Sequence, residues 1–399
     1  MTLVYDRRAV MAEDEPQLHA LVIGCGRFPH FDGDVNRKAC TDSAEAMVEL
    51  LLKHADRFEA KLASIELLLS DPHLNEGEDR FRALSEHDPR ADLGLPAERR
   101  DAVEPAREAE VKKAYEAWFA RCRSDRRDHM LFYGCSHGLA DRDSEGLMVL
   151  EDVKSRTNKW EQVLNVSSMA SGVPIRFRPG AAWFFLDACQ ELLTEIVDQI
   201  RGLVGIQPVP VGATERREYN MQGGARPLVM GTDFGLRTYA GKEGVAFFTQ
   251  ALLEGIERYC FEPRGARYVI TGRKLAQGVP ELSLSLFRRE LRIGGFGNDN
   301  AQIMTALCEV AEPQVVFHIS WDTQPRGLID VAPLGLHAAG DPSEVLAMRE
   351  TDQNGDVWII SRKLPAGVVT LFLREGADRI ENTIPLINPP VIRHEVYQP

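Results

Sequence analysis

Five short apolar runs constrain this chain most: Leu18 to Gly24 (LHALVIG), the core of KLASIELLLSD, His129 to Tyr133 (HMLFY), Ala182 to Leu186 (AWFFL) and PLVMGTD. Runs of this length with few polar interruptions suit strands buried on both faces, as in a parallel sheet. Between the first two lies TDSAEAMVELLLKHA, whose apolar stripe Ala44, Met47, Val48, Leu51 and Leu52 has helical spacing. Thr41 or Asp42 is the expected N-cap. A second helical pattern runs from Ala106 to Ala120, with Val111, Ala114, Trp118 and Phe119 on its apolar face, and a third is EGVAFFTQALLEGIERY. Strand, helix and strand in succession predict an α/β unit, a mostly parallel sheet flanked by helices.

The connections divide the chain. Residues 1–16 read as an N-terminal extension and 17–290 as the α/β domain, interrupted by a charged, Pro- and Gly-punctuated insertion at about 72–108. A loop or short helix is expected around Lys159 to Val166, and a helix from about Leu192 to Ile200. From about residue 312 the texture changes. QVVFHIS, GLIDVAP, VWIISRKL and GVVTLFLRE are short β-rich runs broken by Gly, Pro, Asp and Asn, which predicts a small, antiparallel, β-sandwich-like domain over 312–399. Within it Val315, Phe317 and Ile319 alternate onto one face, as do Val369, Leu371 and Leu373.

Composition narrows the functional classes. Forty-seven basic residues face 60 acidic ones, a formal net charge of −13. So acidic a chain argues against a nucleic-acid coat or a binder of anionic membranes. The pairs Arg126-Arg127 and Arg216-Arg217 lack interleaved stacking aromatics and read as solvated faces. No stretch suits a signal peptide or a membrane-spanning helix. The seven cysteines are widely spaced and odd in number, which predicts reduced thiols and a cytoplasmic location. There is no CxxC and no HExxH, so no metal site is expected.

Two motifs close two of the predicted strands. LFYGCSHG puts His137 and Gly138 after the third, and WFFLDACQE puts Asp187 and Cys189 at the end of the fourth. In an open α/β sheet both would emerge at the C-terminal edge, where such folds carry their chemistry. A cysteine thiolate there can attack a carbonyl while an imidazole carries the proton to the leaving amine. The N–H groups of Gly138 and Cys189 are candidates for an oxyanion hole.

The ordered pair, SHG and then DAC about fifty residues later, resembles the caspase-like cysteine peptidases, the group that includes the metacaspases. ALVIG…CTDSAEAMVELL is similar to that family's first strand and helix, with Asp42 near the helix start, and GTDFGLRTYAGKEGVAFFTQALLEGI to the strand and helix that follow the nucleophile. Together these span roughly Leu18 to Gly272. The resemblance implies a bacterial caspase-fold peptidase, of a kind that serves in regulated proteolysis, cell-death-like responses or defence, with His137 as base and Cys189 as nucleophile. It implies that Asp187 lines the pocket for the residue before the cut, with Asp233 as a second acidic wall. The preferred residue would then be Arg or Lys, since a guanidinium or ammonium complements carboxylates. It also implies a processing or specificity loop at Gln207 to Pro227, making Arg216, Arg217 and Arg226 candidate self-processing sites. Expected partners are a protein or peptide substrate with a basic residue before the cut, and an activating protein. The family leaves a calcium requirement open, though no D-x-[DN]-x-[DN]-G loop is present. A small residue and Gly often follow the family's nucleophile; here Gln190 fits the caspase-like variation but Glu191 stands where Gly is expected, so a catalytically weak scaffold or interaction protein is the alternative.

Two further readings overlap the histidine. Gly134-Cys135-Ser136-His137-Gly138 matches the G-x-S-x-G elbow of α/β-hydrolases, which requires a helix directly after the turn. Cys135, His137 and Cys189 form an incomplete zinc set. Cys25, Cys40 and Cys260 fall in predicted core elements and are expected to be inert.

Overall fold

The computed structural model describes residues 2–31, 35–74, 103–123, 125–140, 146–155, 162–167, 169–170, 180–188, 228–230, 244–287, 289, 291, 305–321, 334–338, 345–346, 360–365, 367–375, 378–386 and 391–396. Its centre is a six-stranded sheet built from β1 (Leu3–Asp6), β2 (Gln17–Cys25), β3 (Lys61–Ser70), β4 (His129–Ser136), β8 (Ala181–Ala188) and β9 (Leu228–Met230). The spatial order is β1-β3-β2-β4-β8-β9. All neighbours are parallel except β1, which pairs antiparallel with β3 at the edge. Residues 3–6, expected in an extension, therefore belong to the sheet. Four residues are too few to register as a strand until an edge is there to receive them.

The apolar runs place side chains on both faces. Leu18, Ala20 and Val22 of β2, Leu131, Tyr133 and Cys135 of β4, and Trp183 and Phe185 of β8 meet helix α1 (Lys38–Lys53) and helix α3 (Phe247–Glu254) in one core. Leu21, Ile23, Met130, Phe132, Phe184 and Leu186 meet helix α2 (Glu108–Cys122) in the other. This two-sided burial explains the near-continuous apolar strands.

Helix α1 begins at Lys38, ahead of the expected caps. Thr41 donates its hydroxyl to the Lys38 carbonyl at 2.8 Å and Asp42 pairs with Lys38, so neither caps the helix. Burial of Ala39 and Cys40 draws the first turn into the core and overrides the local signal.

After β4 the chain forms a small antiparallel sheet from β5 (Gly138–Ala140), β6 (Gly146–Val149) and β7 (Val163–Asn165). The last of these falls where a loop or short helix is expected. Three residues carry little strand signal of their own, and pairing with β6 supplies it. Beyond α3, a π-helical turn at Gly255–Tyr259 leads to β10 (Phe261–Arg264) and β11 (Arg267–Thr271), then to helix α4 (Gly272–Phe287). Strand β12 (Ala306–Glu309) returns to pair with β11, and Glu59 donates its N–H to the Leu307 carbonyl at 3.0 Å.

The described C-terminal residues form two smaller sheets. One is β16 (Ile360–Pro365), β13 (Gln314–Trp321) and β19 (Val391–Val396). The other is β15 (Val345–Leu346), β14 (Leu334–Ala338), β17 (Gly367–Glu375) and β18 (Asp378–Leu386). The β13–β19 pair is parallel, against the expectation of a wholly antiparallel module. Parallel partners are distant in sequence, and no local turn signal announces them. Val315 and Val316 are both buried, so β13 is covered on both faces at that point.

Candidate functional site

The five parallel strands lie in the order second, first, third, fourth, fifth along the chain, so their connections diverge between β2 and β4. Such a switch point opens a crevice at the C-terminal edge. The residues nearest it are Gly26 after β2, His137 after β4 and Ala188 at the end of β8. Ser136 and Ala188 are direct neighbours across the β4–β8 pair.

His137 is held on both sides of its ring and backbone. Its carbonyl accepts the Val149 N–H at 2.9 Å, and the preceding Ser136 hydroxyl donates to the Val149 carbonyl at 2.6 Å. Its Nε2 lies 2.7 Å from the Val35 carbonyl oxygen. A carbonyl only accepts, so Nε2 carries a proton, and in the neutral ring Nδ1 is then the acceptor. The ring also rests against Phe28, with centroids 4.8 Å apart and planes tilted by 48°. A neutral imidazole in one tautomer is the form a general base requires.

Gly138 is buried and opens β5, opposite Met148. A strand here, in place of a helix, removes the context that a G-x-S-x-G nucleophile elbow needs. Ser136 is itself buried and committed to Val149. Cys135 points into the α1 core, where a hydrogen bond with Cys40 and burial push its thiol well above the ordinary range. Among the described residues no group of three His, Cys, Asp or Glu side chains is arranged to hold a metal ion.

Asp187 stands opposite Cys135 and shares the face that meets α1 and α3. It is fully buried. Thr249 of α3 donates its hydroxyl to Asp187 Oδ2 at 2.6 Å, and Tyr133 lies 2.6 Å from the same Thr249 oxygen. Thr249 has a single hydroxyl proton, so Tyr133 is the donor in its own bond, and the three residues form a directed chain ending on the carboxylate. Burial raises the Asp187 pKa to about 6, against the opposing effect of the Thr249 bonds.

Cys189, Asp233, Arg216, Arg217 and Arg226 lie outside the described residues. The structure thus places His137, Gly138 and Asp187 at adjacent strand ends. It adds four groups that sequence reasoning did not single out: the Val35 carbonyl, Phe28, Tyr133 and Thr249. A backbone acceptor has no sequence signature. Thr249 did carry one, as a hydroxyl in the mostly apolar helical run AFFTQALL.

Among the described residues no helix is long and apolar enough to cross a membrane. No family model matches the chain. A protein of Sinorhizobium fredii, named uncharacterized protein y4kE, is 28% identical over 286 residues, which cover 71% of this chain and 70% of that protein. Among solved structures, caspase-1 of Spodoptera frugiperda aligns at a TM-score of 0.37 with 13% identity, over 77% of this chain and 90% of that one. The Arg-specific cysteine proteinase gingipain R aligns at 0.26 with 10% identity, over 95% and 67% respectively. Both TM-scores are low, and neither superposition bears on the chemistry of the site.

Proposed function

We propose that the chain is a cysteine endopeptidase in which His137 and Cys189 form a catalytic dyad. The observation that carries this reading is the His137–Val35 bond, which puts a proton on Nε2, so that in the neutral ring Nδ1 is the nitrogen proposed as the base. Cys189 is one residue beyond Ala188 in sequence, and Ala188 is the cross-strand neighbour of the residue before His137. In the forward step the Cys189 thiol proton passes to Nδ1 and Sγ bonds to the substrate carbonyl carbon. The carbonyl π pair moves to oxygen, which the N–H groups of Gly138 and Cys189 stabilise. The imidazolium then protonates the amine as the C–N bond breaks, leaving a thioester. Water, giving its proton to Nδ1, releases the acid and the thiol.

In this reading the substrates are intracellular proteins cut after Arg or Lys, with Asp187 and Asp233 as the acidic wall. Contact of a substrate cation with Asp187 requires its bond to Thr249 to be shared or exchanged. Arg216, Arg217 and Arg226 are the positions where self-processing would fall. The test uses matched fluorogenic peptides bearing Arg, Lys, Asp or Leu before the cut. Wild type is expected to cleave the Arg and Lys peptides, and Cys189→Ala and His137→Ala to lose that cleavage. Unchanged hydrolysis in Cys189→Ala refutes the mechanism, and cleavage after Asp alone refutes the acidic pocket.

One observation favours a second reading, a non-catalytic scaffold. Asp187 is fully committed to Thr249 inside the core, as a structural carboxylate would be. In that case a thiol-directed peptide probe leaves Cys189 unlabelled.

A further inference from the structure

The acceptor that orients His137 is a backbone carbonyl, so something else must hold that carbonyl in place. Val35 lies near the end of a segment that leaves β2 and returns to α1. Its base is closed by the Arg37 N–H, which donates to the Gly26 carbonyl at 2.8 Å. Above that, Asn36 Oδ1 accepts the Phe28 N–H at 2.9 Å, joining the outgoing arm to the returning one. Phe28 is buried and carries the ring that packs on His137. The outgoing arm is secured from outside as well. Arg27 donates to Glu151 Oε1 at 2.7 Å, and Phe31 meets the Phe28 ring edge-on at 5.9 Å. Lys154 sets its ammonium 3.9 Å from the centre of the Phe31 ring. Lys154 does so from a left-handed backbone, φ 64°, a conformation that costs a non-glycine residue energy and that the surrounding contacts must impose.

We propose that Asn36 is a positioning residue for His137: by pinning the Phe28 peptide it fixes the adjoining Val35 carbonyl against Nε2 and so selects the tautomer. The two neutral tautomers of imidazole lie close in energy, and the partner of one nitrogen decides which nitrogen keeps the proton. One side-chain bond in the loop therefore controls whether Nδ1 accepts or donates. The Lys154–Phe31–Phe28 stack presses the same arm onto the ring and acts in the same direction with smaller effect. The catalytic consequence rests on the His137–Cys189 reading, whereas the tautomer consequence does not.

The experiment follows the ring directly. Long-range proton–nitrogen spectra of the full-length protein, labelled at histidine nitrogens, report the protonated nitrogen of His137, whose signals are assigned by their loss in His137→Gln. Wild type is expected to show a single tautomer with the proton on Nε2. Asn36→Ala is expected to show a mixture, and Asn36→Asp, which keeps an acceptor oxygen, to restore the single form. With an Arg peptide, kcat of Asn36→Ala is expected to fall about tenfold at little-changed KM, since general-base catalysis depends on the correct tautomer. Should Asn36→Ala fail to fold, Asn36→Leu carries the test, because leucine is close to asparagine in size and shape and lacks the acceptor. A mixture of tautomers is expected there too. A single unchanged tautomer in whichever folded variant is measured overturns the assignment of Asn36. A shifted tautomer with no peptide cleavage even in wild type upholds Asn36 and overturns the peptidase reading instead.

Discussion

Thr249 donates its hydroxyl proton to Asp187 at 2.6 Å, tying helix α3 to the end of the strand that leads into Cys189. The carboxylate it holds is buried and titrates at about 6, above its ordinary 3.8. A carboxyl whose folded pKa is raised holds its proton more tightly in the folded chain than in the unfolded one. Its contribution to stability is therefore undiminished below about pH 4 and declines as pH rises through about 6. Asp187→Asn removes this titration and keeps an acceptor for Thr249. The variant is expected to match wild type at pH 4 and to exceed it at pH 7.5 by up to about 3 kcal/mol. Urea titrations at the two values check this. The same variant is expected to lose cleavage after Arg and Lys, which separates pocket chemistry from stability.

Glu151 gathers three partners beneath the same sheet edge. Arg27 and Arg107 approach Oε1 at 2.7 and 3.0 Å, and the Ser70 hydroxyl donates to Oε2 at 2.5 Å. Burial alone would raise its pKa, but the bonds from Ser70, Arg107 and Arg27 outweigh that and hold it below the usual range. With the folded value depressed, its contribution is present above the unfolded pKa and is lost as pH falls through the folded one. Glu151→Ala leaves two arginines without their shared carboxylate. Both retain some solvent contact, so the expected loss is about 1–3 kcal/mol at pH 7, less than for a wholly enclosed pair. Thermal unfolding with and without salt measures it.

Two glycines in this region leave no room for a methyl group. A Cβ on Gly24 would stand 2.7 Å from the Ala44 Cβ and 2.8 Å from the Cys40 carbonyl oxygen, and one on Gly26 would stand 2.2 Å from the Arg37 oxygen. Gly24→Ala is expected to destabilise by about 1–3 kcal/mol through overpacking of α1 on β2. Gly26→Ala is expected to cost more, because its backbone obstacle stands closer. It should also disturb His137, since Arg37 closes the base of the segment that presents Val35. Denaturant midpoints give the first effect, and the His137 ring spectrum the second.

Among the described residues six cysteines are buried: Cys25, Cys40, Cys122, Cys135, Cys260 and Cys308. Burial pushes the thiols of Cys25 and Cys122 well up, raises Cys260, and takes Cys308 to about 12. A thiol so held has almost no thiolate at neutral pH. Brief treatment with iodoacetamide is expected to leave all six unmodified in the native protein and to label them after denaturation. Mass mapping reads the result. Native labelling at Cys135 would show that the end of β4 opens toward solvent.

What the residues alone determined here is what depends on local pattern. The apolar runs at Leu18, His129 and Ala182 became β2, β4 and β8 because strands buried on both faces need unbroken apolar sequence, and the Met47–Leu51 stripe became α1 because helical spacing collects one face. The same runs put His137 and Asp187 at neighbouring strand ends, since a parallel sheet brings like ends together. The tertiary structure alone decided the rest. Which strand lies beside which is set by pairing across long separations, so the edge position of Leu3–Asp6 and the parallel partner of β13 have no local signal. Asp187 read as a pocket carboxylate from its place beside Cys189, yet which face of β8 meets α3 decides that it bonds to Thr249. His137 Nε2 bonds to a main-chain oxygen at Val35, beside the Asn36 whose side chain accepts the Phe28 N–H. A carbonyl is common to every residue, so only its position in space gives it a role.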